Sequence, residues 1–458
     1  METAKDRLAL FCRYLFQGTS FPRPARHRAG LALTACFSIA TGVFAEIDGV
    51  CADDSYCPPS VSAPSESAPT SPPVTVPGTG DAVQASGYSG DFTGDWLGLR
   101  PRLQQTGITF GGSLLADGTT DLSGGMETRD TAFRTQLTLD VNFDLNKLVN
   151  LPGGTVYASY MGLWGHNGTT APVGSLQLYD SIINPRTSTL DELYYDQNVG
   201  TLLQFRIGRQ DESDFFAQPP DAQPFINDSA TEFPTLINPP TFPDTAPGIA
   251  AVFGRNSPLT LKFGAYYFAR FHPSAFDQAL NTLEPTGIPE GTFLIAEGDY
   301  SWQIDGNRPG VAAVGGSWSD SELATLGGAV QSGGGSVYSY VDQTLWSDTA
   351  NQSIAAFGTL MAADKRVSSI DFASQGGVVG TGLVPMRPTD QVGLGYDWAH
   401  ISAGASLPKP YELAIEGFYA FNFSRGVTLE PDLQYFVNTG GGIYPDALAA
   451  TIRLSVSF

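Results

Sequence analysis

Apolar and polar residues alternate along the last segment of the chain, from Leu448 to Phe458. Because successive side chains of a β-strand point to opposite faces, this segment has one apolar and one polar face. The apolar face carries Leu448, Ala450, Ile452, Leu454, Val456 and Phe458. The pattern predicts a strand, and on this segment alone it fits a soluble antiparallel sheet.

The same alternation recurs upstream, most clearly in residues 134–144, 203–208, 259–268, 413–423 and 427–437. On the polar face, charged and amide side chains lie in the middle of these segments. The interior of a small, filled barrel has no room for them. A soluble β-sandwich and a water-filled membrane barrel both accommodate the pattern.

Two further features favour the membrane barrel. The chain finishes on an alternating strand whose last residue is the aromatic Phe458. Aromatic residues also cluster near predicted strand ends, as expected for a girdle at the membrane–water interface. These residues are Tyr157, Tyr160, Tyr194, Tyr195, Tyr266, Tyr267 and Phe268.

The segment from Ile108 to Phe458 is long enough for roughly 16 to 18 strands, at about 20–22 residues for each strand and its connection. We therefore predict an all-β fold, a transmembrane antiparallel β-barrel of about 16 strands. Trp96, Leu99 and Leu103 have helical spacing, which predicts a short amphipathic helix or turn before the first strand. A proline-rich insertion from Gln218 to Pro247 predicts an extracellular loop, or one folded inward to narrow the pore.

The N-terminal part of the chain differs from the predicted barrel, which covers residues 91–458. Residues 1–45 combine a basic region with an apolar run, which predicts a secretory signal peptide cleaved after Ala45. A lipoprotein signal at Cys36 is the alternative, although the residues after Cys36 stay apolar. Residues 46–90 are rich in proline and serine and predict a periplasmic segment, with a possible Cys51–Cys57 disulfide loop.

Charge and motifs exclude several classes of function. The formal net charge of −22 argues against a nucleic-acid partner. The four histidines lack the spacing of metal ligands, and the chain contains neither a G-x-S-x-G elbow nor a P-loop. Beyond the leader, the sequence contains no apolar run of the roughly 18 residues that a membrane-spanning helix needs. We expect that the protein is not an enzyme and that it binds neither a metal nor a cofactor. We also expect that it is exported and crosses the membrane with strands.

The charged residues on the polar face or at strand ends are the candidates for solute contact. They are Arg134, Arg206, Arg209, Asp211, Glu297 and Glu416. The plainer interpretation is a solvated barrel wall, stiffened by pairs of arginine and carboxylate. Sugars, however, need planar donors and acceptors for their hydroxyl groups and aromatic faces for their rings, and such a lumen offers both.

An ordered series of motifs resembles the carbohydrate-selective outer-membrane porins of the OprB family. It begins at Gly94–Arg100, followed by Leu103 and Gly107–Ile108, with Leu97 standing where the family tends to have glycine. Further matches are Glu192–Tyr195, Arg206–Asp211 leading to Phe215, Tyr338–Gln343, Gly376–Gly377, Gly382–Pro385 with Arg387 and Asp390, Gly393, Glu416–Tyr419 and Pro431–Tyr435. The resemblance covers residues from about 91 to 458.

The resemblance implies a 16-stranded barrel that lets glucose and similar sugars diffuse across the outer membrane of a Gram-negative cell. By resemblance, the sugar-contacting wall contains Arg206, Arg209, Glu297 and Glu416, with weaker candidates at Arg134 and Asp140. A general or cation-preferring porin and a structural or adhesion barrel are the alternative functions.

The expected partners are carbohydrate solutes, outer-membrane lipid and lipopolysaccharide, and the barrel-assembly machinery, which we expect to recognise Phe458. The sequence leaves both a monomer and a homotrimer open.

Overall fold

The computed structural model describes residues 92–166, 170–183, 188–268, 289–348, 352–423 and 426–458. The predicted signal peptide (1–45) and the predicted periplasmic segment (46–90), with its Cys51–Cys57 loop, lie outside the described residues. Those two assignments stay predictions.

Antiparallel strands close into one barrel, because β1 pairs with both β2 and β16 and every other strand pairs with its neighbours in sequence. The described strands are β1 (Ile108–Ser123), β2 (Thr131–Asp144), β3 (Gly154–His166), β4 (Ser188–Val199), β5 (Leu203–Gln210), β6 (Ala246–Phe253), β7 (Leu259–Phe268), β8 (Gly291–Ile304), β9 (Arg308–Ala324), β10 (Val330–Ser347), β11 (Ser353–Ala363), β12 (Ile370–Thr381), β13 (Gln391–Ile401), β14 (Tyr411–Phe423), β15 (Val427–Val437) and β16 (Ala447–Ser457). The predicted barrel of about 16 strands is confirmed.

The helices are short. They are α1 (Leu99–Thr106), α2 (Leu145–Val149), α3 (Asp228–Thr231) and α4 (Thr439–Gly442), with 3₁₀ turns at Pro220–Ala222 and Ala403–Ala405. In the part of the chain that the structure describes, no helix has the length and apolar character needed to cross a membrane. The predicted N-terminal helix is present as α1, but its buried side chain is Arg100, whereas Leu97 and Leu99 are exposed.

The two ends of the barrel differ in their connections. At one end, strands are joined by short turns such as residues 200–202 and 305–307. At the other end lies the long β5–β6 connection, residues 211–245. Outer-membrane barrels have short periplasmic turns and longer extracellular loops, so the end with the long connection is the extracellular end.

The strand faces follow the predicted alternation. On β16, Ile452 and Leu454 are exposed on the outer surface of the barrel, whereas Thr451 and Arg453 are buried on the lumen side. The Thr451 hydroxyl lies 2.8 Å from the Thr119 hydroxyl across the β1–β16 seam. The apolar face therefore contacts lipid and the polar face lines the lumen.

Three of the tyrosines assigned to an interfacial girdle lie in the lumen instead. Tyr157 and Tyr194 stack with ring centroids 5.0 Å apart, and the Arg206 guanidinium lies 3.8 Å from the Tyr194 ring centroid. Tyr266 is buried next to Phe293. The girdle prediction is wrong for these three residues, because their register positions alternate with outward-facing neighbours and point them to the interior.

Two extracellular connections fold into the barrel. We call the described part of the β3–β4 connection, residues 170–183, loop A, and the β5–β6 connection, residues 211–245, loop B. Loop B packs its aromatic side chains against the wall: Phe233 contacts Tyr338 edge-on, and Phe215 and Phe216 belong to the same buried cluster. Of the two positions predicted for the proline-rich insertion, the structure shows the inward one.

Candidate functional site in the barrel lumen

A row of alternating charges crosses the seam of the barrel. Asp117 on β1 lies opposite Arg134 on β2 and opposite Arg453 on β16, and Arg453 lies opposite Glu430 on β15. The Arg453 Nη2 atom is 2.7 Å from the Asp117 Oδ2 atom. Opposite charges at directly facing positions of neighbouring strands stabilise strand pairing, so this row supports closure of the barrel.

Loop A adds a third carboxylate to this row, beside Asp117 and Glu430. The Asp180 Oδ2 atom lies 3.3 Å from the Arg134 Nη1 atom, and its Oδ1 atom lies 3.6 Å from the Arg453 Nη2 atom. The Arg134 side chain also donates a hydrogen bond of 2.5 Å to the Tyr179 hydroxyl and lies over the Tyr179 ring. Arg134 therefore attaches loop A to the wall.

Arg206 is surrounded by one wall carboxylate, one loop carboxylate and two rings. On the wall it contacts Asp196, whose Oδ2 atom is 3.4 Å away, and at the start of loop B it pairs with Asp214. Its guanidinium also contacts the rings of Tyr194 and Phe215, 3.8 Å and 4.3 Å from their centroids. Carboxylates and aromatic rings of the protein thus contact the same guanidinium.

Glu297 forms a third group. Lys262 lies opposite Glu297 on the neighbouring strand, and its ammonium group is 2.7 Å from Glu297 and 2.6 Å from Asp299. Glu297 also accepts hydrogen bonds of 2.8 Å from the Tyr338 hydroxyl and from the backbone N–H of Ala217 in loop B. One carboxylate therefore neutralises a buried lysine and holds a loop.

Two glutamates on β14 hold the backbone of both loops. Glu416 accepts hydrogen bonds from the N–H groups of Ile226 (2.6 Å) and Asn227 (3.1 Å) in loop B. Glu412 accepts hydrogen bonds from the N–H groups of Leu176 and Gln177 in loop A, each 2.9 Å. A buried N–H without a partner is costly, so these carboxylates make the inward position of the loops possible.

Glycines on the lumen side of the wall make room for loop B. A side chain at Gly377 or Gly395 would place its Cβ atom within 2.7–3.0 Å of the Phe225 ring. The ring packs edge-on against Phe357 and Phe418. These two wall positions lack side chains, and the space that this leaves accommodates the Phe225 ring of loop B.

Two other predicted site residues, Asp140 and Arg209, lie apart from these groups. Asp140 is on the lumen side of β2, where Gly111 leaves room for its carboxylate and the charge of Arg100 acts on it. Arg209 is opposite Leu193, on the face that β4 turns outward, and its Nε atom donates to the Asp191 carbonyl (2.9 Å) and the Thr245 hydroxyl (2.7 Å). Arg209 therefore connects strand ends at the extracellular rim of the barrel. It does not belong to the group of residues around Arg206.

The candidate residues do not line a single pocket. They are connected through their contacts with loops A and B. Arg134 contacts loop A, and Arg206, Glu297 and Glu416 contact loop B. Lys262 and Glu412 are also buried on the lumen side, and the alternation of their strands gives no sign of their partners. In the described ranges, no group of three or more histidine, cysteine, aspartate or glutamate side chains is arranged to hold a metal ion.

A closed sixteen-stranded barrel with a polar lumen narrowed by inward-folded loops defines an outer-membrane porin. Residues 128–458 match the family described as "Carbohydrate-selective porin, OprB family". The chain therefore belongs to the OprB family of carbohydrate-selective porins, as the sequence motifs indicated.

Comparison with individual proteins agrees with this assignment. The high-pH structure of OprB from Pseudomonas putida superimposes with a TM-score of 0.71 at 20% identity, covering 82% of this chain and all of that chain. The low-pH structure of the same protein gives a TM-score of 0.53 at 16% identity, covering 81% and 99%. The protein "Putative porin QuiX" of Acinetobacter baylyi is 22% identical over 439 residues, which cover 80% of this chain and 92% of that protein.

Proposed function

We propose that this porin is a passive and partly selective route by which carbohydrates such as glucose diffuse into the periplasm. The observation that carries the proposal is the combination of family membership with a polar lumen into which two loops fold. Passage requires no covalent chemistry, and we propose that the protein is not an enzyme. Its selectivity comes from the width of the lumen and the groups that line it.

The chemistry of the lumen suits a neutral polyol. Arginine, aspartate, glutamate and glutamine supply planar donors and acceptors for hydroxyl groups. Tyr157, which stacks on Tyr194 and is only partly buried, supplies an aromatic face near Arg206. A sugar ring has both kinds of surface, because its hydroxyl groups surround apolar C–H faces.

Sugar contact by Arg134, Asp140, Arg206, Arg209, Glu297 and Glu416 stays a prediction. Asp140 and Arg209 are only partly buried, whereas the other four are buried against the loops. Asp140 is therefore the candidate whose replacement tests solute contact most directly. We expect Asp140→Asn to weaken the reduction of conductance by glucose while leaving the conductance in salt alone nearly unchanged.

Flux through reconstituted protein tests the proposal. Heat-modifiable protein in planar bilayers should give stepwise conductance that glucose reduces, and vesicles should take up glucose faster than a disaccharide or an amino acid of similar size. Conductance without any dependence on sugar would identify a general or cation-preferring porin. A folded barrel without conductance would identify a structural or adhesion barrel, and deletion of residues 218–247 should then open a pore.

The cellular setting completes the proposal. We propose that residues 1–45 direct export and are removed after Ala45, and that the barrel-assembly machinery recognises Phe458. We further propose that lipid and lipopolysaccharide surround the barrel, either as a monomer or as a homotrimer. Mass spectrometry of the mature protein purified from outer membranes would give the cleavage site. Light scattering or native mass spectrometry of the same sample would give the number of chains.

A further inference from the structure

Loop A and loop B are hydrogen-bonded to each other inside the barrel. The Ser181 N–H in loop A donates to the Ile226 carbonyl in loop B, with a distance of 3.0 Å. The Asp228 N–H in loop B donates in return to the Leu178 carbonyl, with a distance of 2.9 Å. The two segments therefore pair through their backbones on either side of Asn227.

The Asn227 side chain occupies the meeting point of the two loops and the wall, and it is fully buried. Its Nδ2 atom donates to the Gln177 carbonyl in loop A (3.2 Å) and to the Gln434 Oε1 atom on β15 (3.1 Å). Its Oδ1 atom accepts from the Ser229 N–H (3.0 Å), which caps α3. Both protons of the amide and its oxygen are thus used.

The backbone and the partners of Asn227 extend this network. The Asn227 N–H donates a hydrogen bond to Glu416 on β14. The Gln434 Nε2 atom donates a hydrogen bond of 2.8 Å to the Tyr179 carbonyl in loop A. Residue 227 and its direct partners therefore connect loop A, loop B, β14 and β15. Every polar atom in this network is buried, so loss of one donor leaves acceptors without partners.

We propose that Asn227 is a positioning residue that joins loops A and B into one unit and thereby sets the largest solute that the lumen admits. The inference rests on the proposed function, because it concerns the size limit of the same pore. Only a side chain with two donors and one acceptor completes these contacts, and asparagine provides them at the required length. An ionised aspartate has nearly the same shape and keeps the cap on Ser229, but it cannot donate to Gln177 or Gln434.

The Asn227→Asp variant tests this positioning role. Asn142→Asp is the matched control, because it adds the same charge on the lumen side of β2 without changing the contacts between loops. We expect single-channel conductance of Asn227→Asp to rise about two-fold or more, since the width of a pore governs permeation. We also expect vesicles with this variant to admit a trisaccharide that the wild-type protein and Asn142→Asp exclude.

Protease accessibility separates loop position from pore function. Loop B in folded Asn227→Asp should be cut by protease added to intact vesicles at least about ten-fold faster than in the wild-type protein, because local opening exposes the backbone. If Asn227→Asp does not fold, Gln434→Met removes the wall partner of both loops and should give the same results.

The outcomes are distinguishable. Folded variants with the conductance, size limit and cleavage rate of the wild-type protein would overturn the positioning role. A folded wild-type protein that conducts neither ions nor sugar would contradict the proposed function. In that case, loop B could still be tested separately. A protease cleavage rate of loop B that is the same in Asn227→Asp as in the wild-type protein would also contradict the proposal that Asn227 joins the two loops.

Discussion

The Arg134 Nη1 atom lies 3.3 Å from the Asp180 Oδ2 atom, and both side chains are buried between the β2 wall and loop A. Removing one partner of a buried ion pair leaves the other charge uncompensated, which costs more than the pair contributes when it is intact. The contact between these two residues therefore helps to hold loop A inside the barrel.

We expect Arg134→Ala to lower the free energy of unfolding by about 3 kcal/mol, because it leaves Asp180 with the more distant Arg453 as its cation. Urea unfolding in lipid vesicles measures the change. Arg102→Ala, at an exposed position on α1, is the control and should shift stability by no more than about 0.5 kcal/mol. Equal effects of the two substitutions would show that the buried pair does not hold the loop.

Lys262→Met should make the pore more selective for cations. The substitution leaves Glu297 and Asp299 without the ammonium group that contacts both carboxylates, so negative charge in the lumen increases. The reversal potential in a KCl gradient measures this preference. Lys365→Met, on the exposed β11–β12 connection, removes the same charge outside the lumen. If both variants shift the reversal potential equally, the lumen lysine has no special effect on ion preference.

Ionisation of Asp390, in the β12–β13 turn, should make the stability of the barrel depend on pH. Burial by itself raises the pKa of this carboxyl, but hydrogen bonds from Arg387, the Asn422 N–H and the Tyr419 hydroxyl outweigh it and hold the pKa below its usual value. A group with a lowered pKa stabilises the fold above its unfolded pKa, about 3.8, and loses this contribution as pH falls through the folded pKa.

We therefore expect Asp390→Asn to lower stability at pH 7 and to differ less from the wild-type protein as pH falls below about 4. The temperature at which heat-modifiable barrel unfolds, followed from pH 7 to pH 3, measures the difference. A gap between variant and wild type that stays constant over this range would contradict the role of the ionised carboxyl.

Gly112 provides the space for the Phe458 ring at the barrel seam. A Cβ atom at Gly112 would lie 2.7 Å from the ring. The Phe458 N–H donates a hydrogen bond of 2.9 Å to the Gly112 carbonyl. We expect Gly112→Val to reduce the fraction of heat-modifiable protein in outer membranes. Gly118→Val is the control on the same face of β1, because a Cβ atom there has no neighbour within 4 Å. Equal yields of folded barrel would show that the glycine is not needed for closure.

Much of the fold was predictable from the sequence because the strand signal has a period of two. Alternation along residues 427–437 and 448–458 correctly separated the lipid face from the lumen face. The prediction failed for Tyr157, Tyr194 and Tyr266, since an aromatic residue near a strand end has the same sequence signature in a girdle and in a lumen. Only the register decides between the two positions.

The candidate site was predictable in part. Alternation indicated that Arg134, Arg206, Glu297 and Glu416 are on the lumen side, and their register positions agree. It did not indicate that loops cover them, and it gave no sign of Asn227. A loop has no periodic pattern, so its side chains cannot be assigned to a face until its path is known.

The sequence by itself determined the closed antiparallel sheet, the lipid-facing surface and the family, because these depend on side-chain type at short, regular spacing. The tertiary structure decided which lumen residues are open and which are covered. Contacts such as Glu412 with Leu176, or Asn227 with Gln434, join residues more than 200 positions apart in sequence. They form because buried donors of the inward loops, the Leu176 backbone N–H and the Asn227 side-chain amide, need acceptors, and only the folded chain places those acceptors within reach.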